Sequence, residues 1–347
     1  MSSLGRSRSL QAFLLASVLL WPASAAADVV TLPASKDNTL YESATGELSN
    51  GAGHHLFAGN TAIPEIRRAL IAFDVAGAVP AGSTITGVRL TLSMSATIVG
   101  QRPVSLHRAA ADWGEGASQA PAPEGTGAPA EAGDATWLHA FFDTSFWSTE
   151  GGDFESSASA TALVDQIGLY TWDSTASLVA DVQAWLDDPD GNFGWILVGD
   201  EAAVPSTKRF DSSQNPDEAV RPALQVEFTP PGAGRVPDGG PHPGEPLTLS
   251  LNPGGDLTLA WGASCATTDT DFAVYEGVLG DFTSHLPRLC STAGVAGVTL
   301  TPSAGPRYYL VVPVNGFREG SYGRRGDLLE RPASVAACLP QSIAGCS

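Results

Sequence analysis

Aromatic and cationic side chains carry the chemistry that this sequence offers. Trp113, Trp137, Phe141, Phe142, Phe146, Trp147 and Trp172 lie in or beside polar, turn-rich stretches. A partly exposed ring stacks its face on the C–H face of a pyranose, so these are candidate sugar platforms. The competing role is core, where most tryptophans end up. Trp113, Trp137 and Trp147 border polar loops, where binding residues concentrate. Trp185, Trp195 and Trp261 sit in apolar helix or strand settings and are assigned to the core. Arginine suits a uronate or a sulfated sugar, because its fork pairs with an oxyanion through two hydrogen bonds. Arg67, Arg68, Arg108, Lys208 and Arg209 are the local cationic spots. Strand alternation turns one of Arg67 and Arg68 inward or along a sheet edge, so a structural ion pair competes with ligand contact there.

Oxygen donors form a second set. Asp37, Asn38, Asp112 and Glu115 are candidate ligands for a structural calcium, which ties loops together through oxygen atoms. The run Asp187 to Asn192 looks calcium-like. A loop counted from Asp188 has Gly199 where the bidentate glutamate belongs, so the run reads as a helix-ending turn. Catalytic patterns are missing. His54, His55, His107, His139, His242 and His285 form no His-Glu-x-x-His helix, and neither a nucleophile elbow nor a phosphate loop occurs. His54 and His55 are adjacent, so their side chains diverge in a strand. A chain with 37 acids always contains carboxylate pairs, but nothing in the spacing places two of them across a cleft. The reading is therefore non-enzymatic. Arg325-Gly326-Asp327 matches a cell-adhesion tripeptide, a match that chance supplies readily.

The elements that must position these residues begin after an export signal. Arg6 and Arg8 precede an apolar stretch, Leu10 to Trp21, followed by Pro22 and small-x-small cleavage patterns at Ala23 to Ala27. The stretch is too short to span a bilayer, which takes about 20 residues. Residues 1–27 are thus expected to be removed, leaving a secreted, extracellular protein. The formal charge is −19 and becomes −21 without Arg6 and Arg8. Such a surface repels nucleic acid and anionic membranes. The abundant acids also leave carboxylates for calcium.

All four cysteines, Cys265, Cys290, Cys338 and Cys346, lie in the last quarter of the chain. An even number in an exported chain suggests disulfides. Three pairings are possible, and local closure favours Cys265–Cys290 with Cys338–Cys346. No histidine lies at zinc-ligand spacing from them. The segment from Thr229 to Pro246 is crowded with proline and glycine and reads as a semi-stiff linker. It separates a domain at Asp28–Phe228 from a smaller one at Leu247–Ser347, whose small core the cross-links would compensate.

Within the first domain, short strands alternate with turns. Ala69 to Val75 is a mostly apolar run suited to a central strand. Thr84 to Ser95 alternates at period two, with Ile85, Val88, Leu90, Leu92 and Met94 inward and a bulge expected at Gly87. Val104–Arg108, Leu169–Trp172, Trp195–Gly199 and Leu224–Phe228 are further strands. Ala176 to Leu186 is the one helix, and Ala117 to Ala135 reads as a long surface loop. The pattern is all-β: a jelly-roll sandwich with one short helix. In the second domain, Leu257–Trp261, Phe272–Tyr275 and Tyr308–Val312 are strands of a small disulfide-bonded sandwich, with its tail around the edge.

The order of landmarks in the first domain resembles the DNRLRE domain, which is related to carbohydrate-binding module family 96. The residues that carry the resemblance are Asp37-Asn38-Thr39-Leu40, Gly59, Arg67 to Asp74, Pro80 to Ile85, Asp112 to Gly116, Trp185, Asn192 to Trp195, Phe210-Asp211-Ser212 and Arg221 to Leu224. The resemblance covers about 200 residues and implies an exported, jelly-roll, polysaccharide-binding module; some such domains bind acidic polymers. Gln214 and Asn215 stand where more charge is expected, so ligand identity does not carry over. The second domain resembles fibronectin-type-III or immunoglobulin-like accessory domains. The expected function is non-catalytic polysaccharide binding or surface attachment. The alternatives are a structural envelope or matrix protein and, third, a polysaccharide lyase or hydrolase.

Overall fold

A computed structural model describes residues 27–240 and 242–346. The expected export signal lies outside the described residues, save for Ala27. The first domain contains β1 (Asp28–Pro33), β2 (Lys36–Tyr41), β3 (Leu48–Ser49), β4 (His55–Asn60), β5 (Ile66–Ala72), β6 (Thr84–Thr97), β7 (Arg102–Arg108), β8 (Ala128–Pro129), β9 (His139–Phe141), β10 (Ser145–Phe146), β11 (Ala160–Val164), β12 (Gly168–Trp172), β13 (Trp195–Val198), β14 (Lys208–Asp211) and β15 (Ala223–Thr229), with α1 (Ala176–Asp187) before β13. Eleven of these strands form one antiparallel sheet that curls into a sandwich, in the order β1-β15-β6-β14-β4-β5-β13-β7-β11, with β12 on β6 and β2 on β5. The fold is the all-β sandwich expected. The fold-over falls at β4, which pairs with β14 from His55 to Ala58 and with β5 at Gly59 and Asn60. Gly59 has φ +115°, and a Cβ there would stand 3.0 Å from the Ser206 backbone, so the corner needs glycine.

The sandwich interior is built by period two. On β6 the buried set is Ile85, Val88, Leu90, Leu92 and Met94, and the register slips between Glu227 and Phe228 of β15, opposite the Ile85–Gly87 stretch. Thr175 caps α1 by accepting from the Leu178 amide at 3.0 Å. The helix lays Leu178, Val182, Trp185 and Leu186 into the same interior. Its buried Asp181 accepts from the Trp195 indole at 2.8 Å.

A second core lies outside this interior. On β5, Ala69 and Ile71 face the sandwich, whereas Leu70 and Ala72 join a cluster with Ile196, Ala109, Trp113, Trp137 and Trp147. Continuous apolar runs such as β5 and β13 belong to strands covered on both faces. The cover is the excursion between β7 and β11. The expected surface loop at Ala117–Ala135 is therefore corrected: Ser118, Ala120, Ala128, Asp134 and Ala135 are buried, and β8 pairs with β3.

The second domain contains β16 (Thr248–Leu251), β17 (Leu257–Ala260), β18 (Asp271–Val278), β19 (Leu286–Leu289), β20 (Gly297–Leu300) and β21 (Arg307–Val314). They form two three-stranded sheets, β16-β17-β20 and β19-β18-β21. Leu259, Trp261, Phe272, Val274 and Val311 share one apolar cluster; Ala273, Tyr275, Val312 and Val314 form another with the tail residues Tyr322 and Leu339. The tail thus packs on the second face of the β18–β21 sheet. This placement overturns the expected cysteine pairing. The disulfides are Cys265–Cys346 and Cys290–Cys338, because a tail laid across a sheet brings distant cysteines together. The linker reading is corrected in part. Ala233 is buried and exchanges backbone bonds with Ser342 and Ala344 at 2.8 Å, and Val236 packs into the second domain's core.

Candidate functional site

The tryptophan platform is not found. The seven described tryptophans are all buried. Trp113 is 1% exposed, and its indole donates to the Phe193 carbonyl at 2.8 Å. Trp147 donates to the Thr136 carbonyl at 2.8 Å, and Trp137 lies under the Arg68 guanidinium at 5.0 Å. These residues border polar loops in sequence because the loops themselves are the cover layer. Their rings supply the apolar area that seals β5 and β13. Among the loop aromatics only Phe146 is strongly exposed, with its ring 4.3 Å from that of His139.

Most of the candidate cations are structural. Arg67 is buried, pairs with Glu65 at 2.8 Å and lies 4.9 Å over the Tyr41 ring. Arg68 binds both oxygens of Glu201 at 2.7 and 3.0 Å, so both members of the pair are structural rather than one. Lys208 points into the sandwich. Its ammonium donates to Thr97 Oγ1 and to the carbonyls of Val99, Gly100 and Asp165 at 2.8–3.1 Å. Burial pushes it below the usual lysine range, against the opposing pull of Asp165. Neither Arg67 nor Lys208 can reach a ligand. Arg108 is half-buried on β7 and has no carboxylate partner among the described residues.

Arg209 differs. It lies on the outer face of β14, directly opposite Phe57 of β4, and donates only to Ser95, at 3.1 Å to its hydroxyl and 3.5 Å to its carbonyl. It lines a cavity of about 230 Å³ with Phe57, Ile98, Pro123, Thr61 and Thr207. The outer face of β6 and β15 beyond it carries Arg89, Thr91, Ser93, Gln225 and Glu227, none of them buried. This face has no cover layer. The site therefore combines an apolar floor with one guanidinium that has no carboxylate partner among the described residues. Alternation along β14 and β4 could have located it: Arg209 and Phe57 fall out of phase with the inward Phe210 and Leu56.

The four candidate metal donors do converge, but on protein partners. Asn38 is a buried hub. Its oxygen accepts from the Thr39 and Asn50 amides, and its amide donates to Ser49 and to the Glu115 carbonyl. Glu115 accepts from the Asp37 amide at 2.9 Å and from Gln214 at 2.6 Å, which gives Gln214 a structural part. Asp112 pairs with Lys36 at 2.8 Å. Asp37 accepts from the Ser213 amide at 2.7 Å, and burial raises it to about 7, with the Glu115 charge adding to the rise. The four candidate donors are thus engaged by protein groups. Among the described residues no group of three or more acids, histidines or cysteines is placed to hold a metal.

Sequence reasoning missed a charged cluster beside the cavity. His55 on β4 faces Glu124 at 3.2 Å and Asp211, its direct cross-strand neighbour, at 3.6 Å. Burial tends to raise Glu124, but bonds from His55 and Asn50 and the nearby His55 charge outweigh it and leave Glu124 below its usual range. With a carboxylate against each ring nitrogen, His55 is poorly placed to act as a free base. The cluster pins the Glu124 loop to the sheet. At the tripeptide Arg325-Gly326-Asp327, the arginine and aspartate pair with each other at 3.1 Å.

Comparisons with known proteins add little. No family model matches the chain, and no curated protein matches it. Among solved structures, a bacterial orthologue of human α-L-iduronidase is 16% identical over 77% of this chain and 36% of that one, with a TM-score of 0.19. The glycoside hydrolase domain of Endo-D from Streptococcus pneumoniae R6 is 10% identical over 83% of this chain and 34% of that one, with a TM-score of 0.18. The chain thus spans about a third of either structure's length, and scores this low carry no argument about fold or activity. No helix among the described residues is long and apolar enough to cross a membrane.

Proposed function

We propose that the chain is an exported, non-catalytic polysaccharide-binding protein of the DNRLRE kind, whose contact surface is the outer face of β14 and β6 around Arg209, beside the Glu124 loop that covers β4. The observation that carries this reading is Arg209 at the apolar cavity. It has no carboxylate partner among the described residues, although acids outnumber cations two to one in the chain. Ile98 is strongly exposed and, with Pro123, offers apolar surface to a sugar ring beside Arg209, with the buried Phe57 as the floor beneath. The two disulfides and the lack of a spanning helix among the described residues are compatible with export.

One observation favours the structural envelope or matrix reading instead: every described tryptophan is buried. Affinity electrophoresis separates the two. The mature protein is run through gels containing neutral or acidic polysaccharides, with calcium and with chelator. Retardation that drops in Arg209→Gln and survives chelation supports the proposed face. A folded protein that no polymer retards is a scaffold.

A further inference from the structure

Fourteen arginines lie in the described residues, and ten of them contact a carboxylate. The four without one are Arg108, Arg209, Arg324 and Arg331, and the last two line the same cleft in the second domain. In a chain of charge −19, two arginines that no acid among the described residues pairs, both lining one cleft, need an explanation.

The cleft has a volume of about 280 Å³. One bank is the connecting stretch, with Arg235. The other is the tail hairpin, in which Arg324 bridges Glu330 through the backbone and the Arg331 amide bonds the Gly323 carbonyl at 2.9 Å. Along the cleft runs β21, which pairs with β18 along one edge and is bridged on the other only at its end, by Glu319 and Gly320. Arg235 pairs with Glu330 at 3.3 Å, which leaves that cation largely neutralised. Asp238 is the lone acid in the lining, and amide bonds from Gly240 and His242 engage one of its oxygens. Arg331 is steadied by the Phe282 ring at 5.7 Å, while Arg324 is exposed. A guanidinium that no acid of the protein has claimed pairs well with a ligand carboxylate.

We propose that this cleft is a second binding site, for a carboxylate-bearing sugar chain such as a uronate polymer, with Arg324 and Arg331 as the anion contacts. That the carboxylate belongs to a sugar rests on the function proposed above; the anion site itself rests on the arginines. An acidic polymer is repelled by the molecule as a whole, so capture needs a local excess of positive charge within a Debye length of about 8 Å. Two sites on one chain would then bind a polymer with avidity.

The test is calorimetric titration of the full-length mature protein with trigalacturonate. Maltotriose is the neutral control and a tetra-aspartate peptide the acidic-peptide control. Arg324→Gln/Arg331→Gln is expected to weaken trigalacturonate binding at least tenfold, with the melting temperature unchanged. Arg209→Gln reads the first-domain face independently. If the double variant binds as the wild type does while Arg209→Gln loses binding, the inference falls and the proposed face stands. The opposite pattern supports the cleft and shows that the proposed face does not take trigalacturonate. A wild type that binds neither anion overturns the cleft, and preference for the peptide overturns the sugar assignment. Should the double variant melt early, Arg324→Lys/Arg331→Lys keeps the charge and should retain most of the binding that the glutamines lose.

Discussion

Asp37 sets a pH dependence by itself. In the unfolded chain it ionises near 3.8, and in the fold only near 7, chiefly because it is buried. Between those values the folded chain holds a proton that the unfolded chain has released. Its contribution therefore penalises folding increasingly as pH rises from 4 to 7, then levels off. An asparagine in its place would still accept from the Ser213 amide without ever ionising. Asp37→Asn should therefore flatten the pH dependence and stabilise the fold at pH 8 by about 2–4 kcal/mol, while changing little at pH 4. Urea denaturation at the two pH values reads this directly, and an unchanged slope would sink the assignment. Lys208 makes the converse case. Its ammonium donates to four oxygens, of which those of Thr97 and Val99 also bond each other, so Lys208→Met leaves the Gly100 and Asp165 carbonyls facing a methyl group and should cost about 3–5 kcal/mol. Thermal unfolding of the variant tests this, and a melting temperature like the wild type's would contradict it.

At the level of strands and loops, alternation was legible and layering was not. The period-two pattern of β6 identified its buried face and its bulge, and helical spacing identified the face of α1. The doubly apolar runs of β5 and β13 signalled cover on both faces, but not which segment covers them. That segment is poor in long apolar runs. It works through Trp113, Trp137 and Trp147 anchored among prolines, glycines and short turns, a composition shared with solvent-exposed loops. The same ambiguity made the tryptophans look like binding residues. Layering predicts that Trp137→Ala and Trp147→Ala each cost about 3–5 kcal/mol, as large core truncations do. Any polysaccharide affinity per folded molecule should stay unchanged. Denaturation melts beside affinity gels check both halves, and a stable variant with lost affinity would return these rings to the binding site.

Over the whole molecule, each domain has a sheet packed against strands on one face and covered by irregular chain on the other, but only the second fastens its cover covalently. The first domain has about 200 residues and no cysteine, and can rely on burial. The second closes loops with separations of 81 and 48 residues. In the chain-entropy picture each closure is worth about 4 kcal/mol, and less in sum, because one loop lies inside the other. The pairing was illegible for the same reason as the first domain's cover: local closure was the reasonable expectation until the tail was seen to lie across β18 and β21. Reduction should therefore act on one domain. With dithiothreitol, residues 315–346 should become protease-sensitive while residues 28–228 stay resistant, as mass mapping of the fragments would report. The tail also carries Arg324 and Arg331, whereas Arg209 belongs to the disulfide-free domain. Reduction should then abolish trigalacturonate binding at the cleft and leave retardation through the β14–β6 face intact. Loss of both together would mean that the two surfaces are not independent sites.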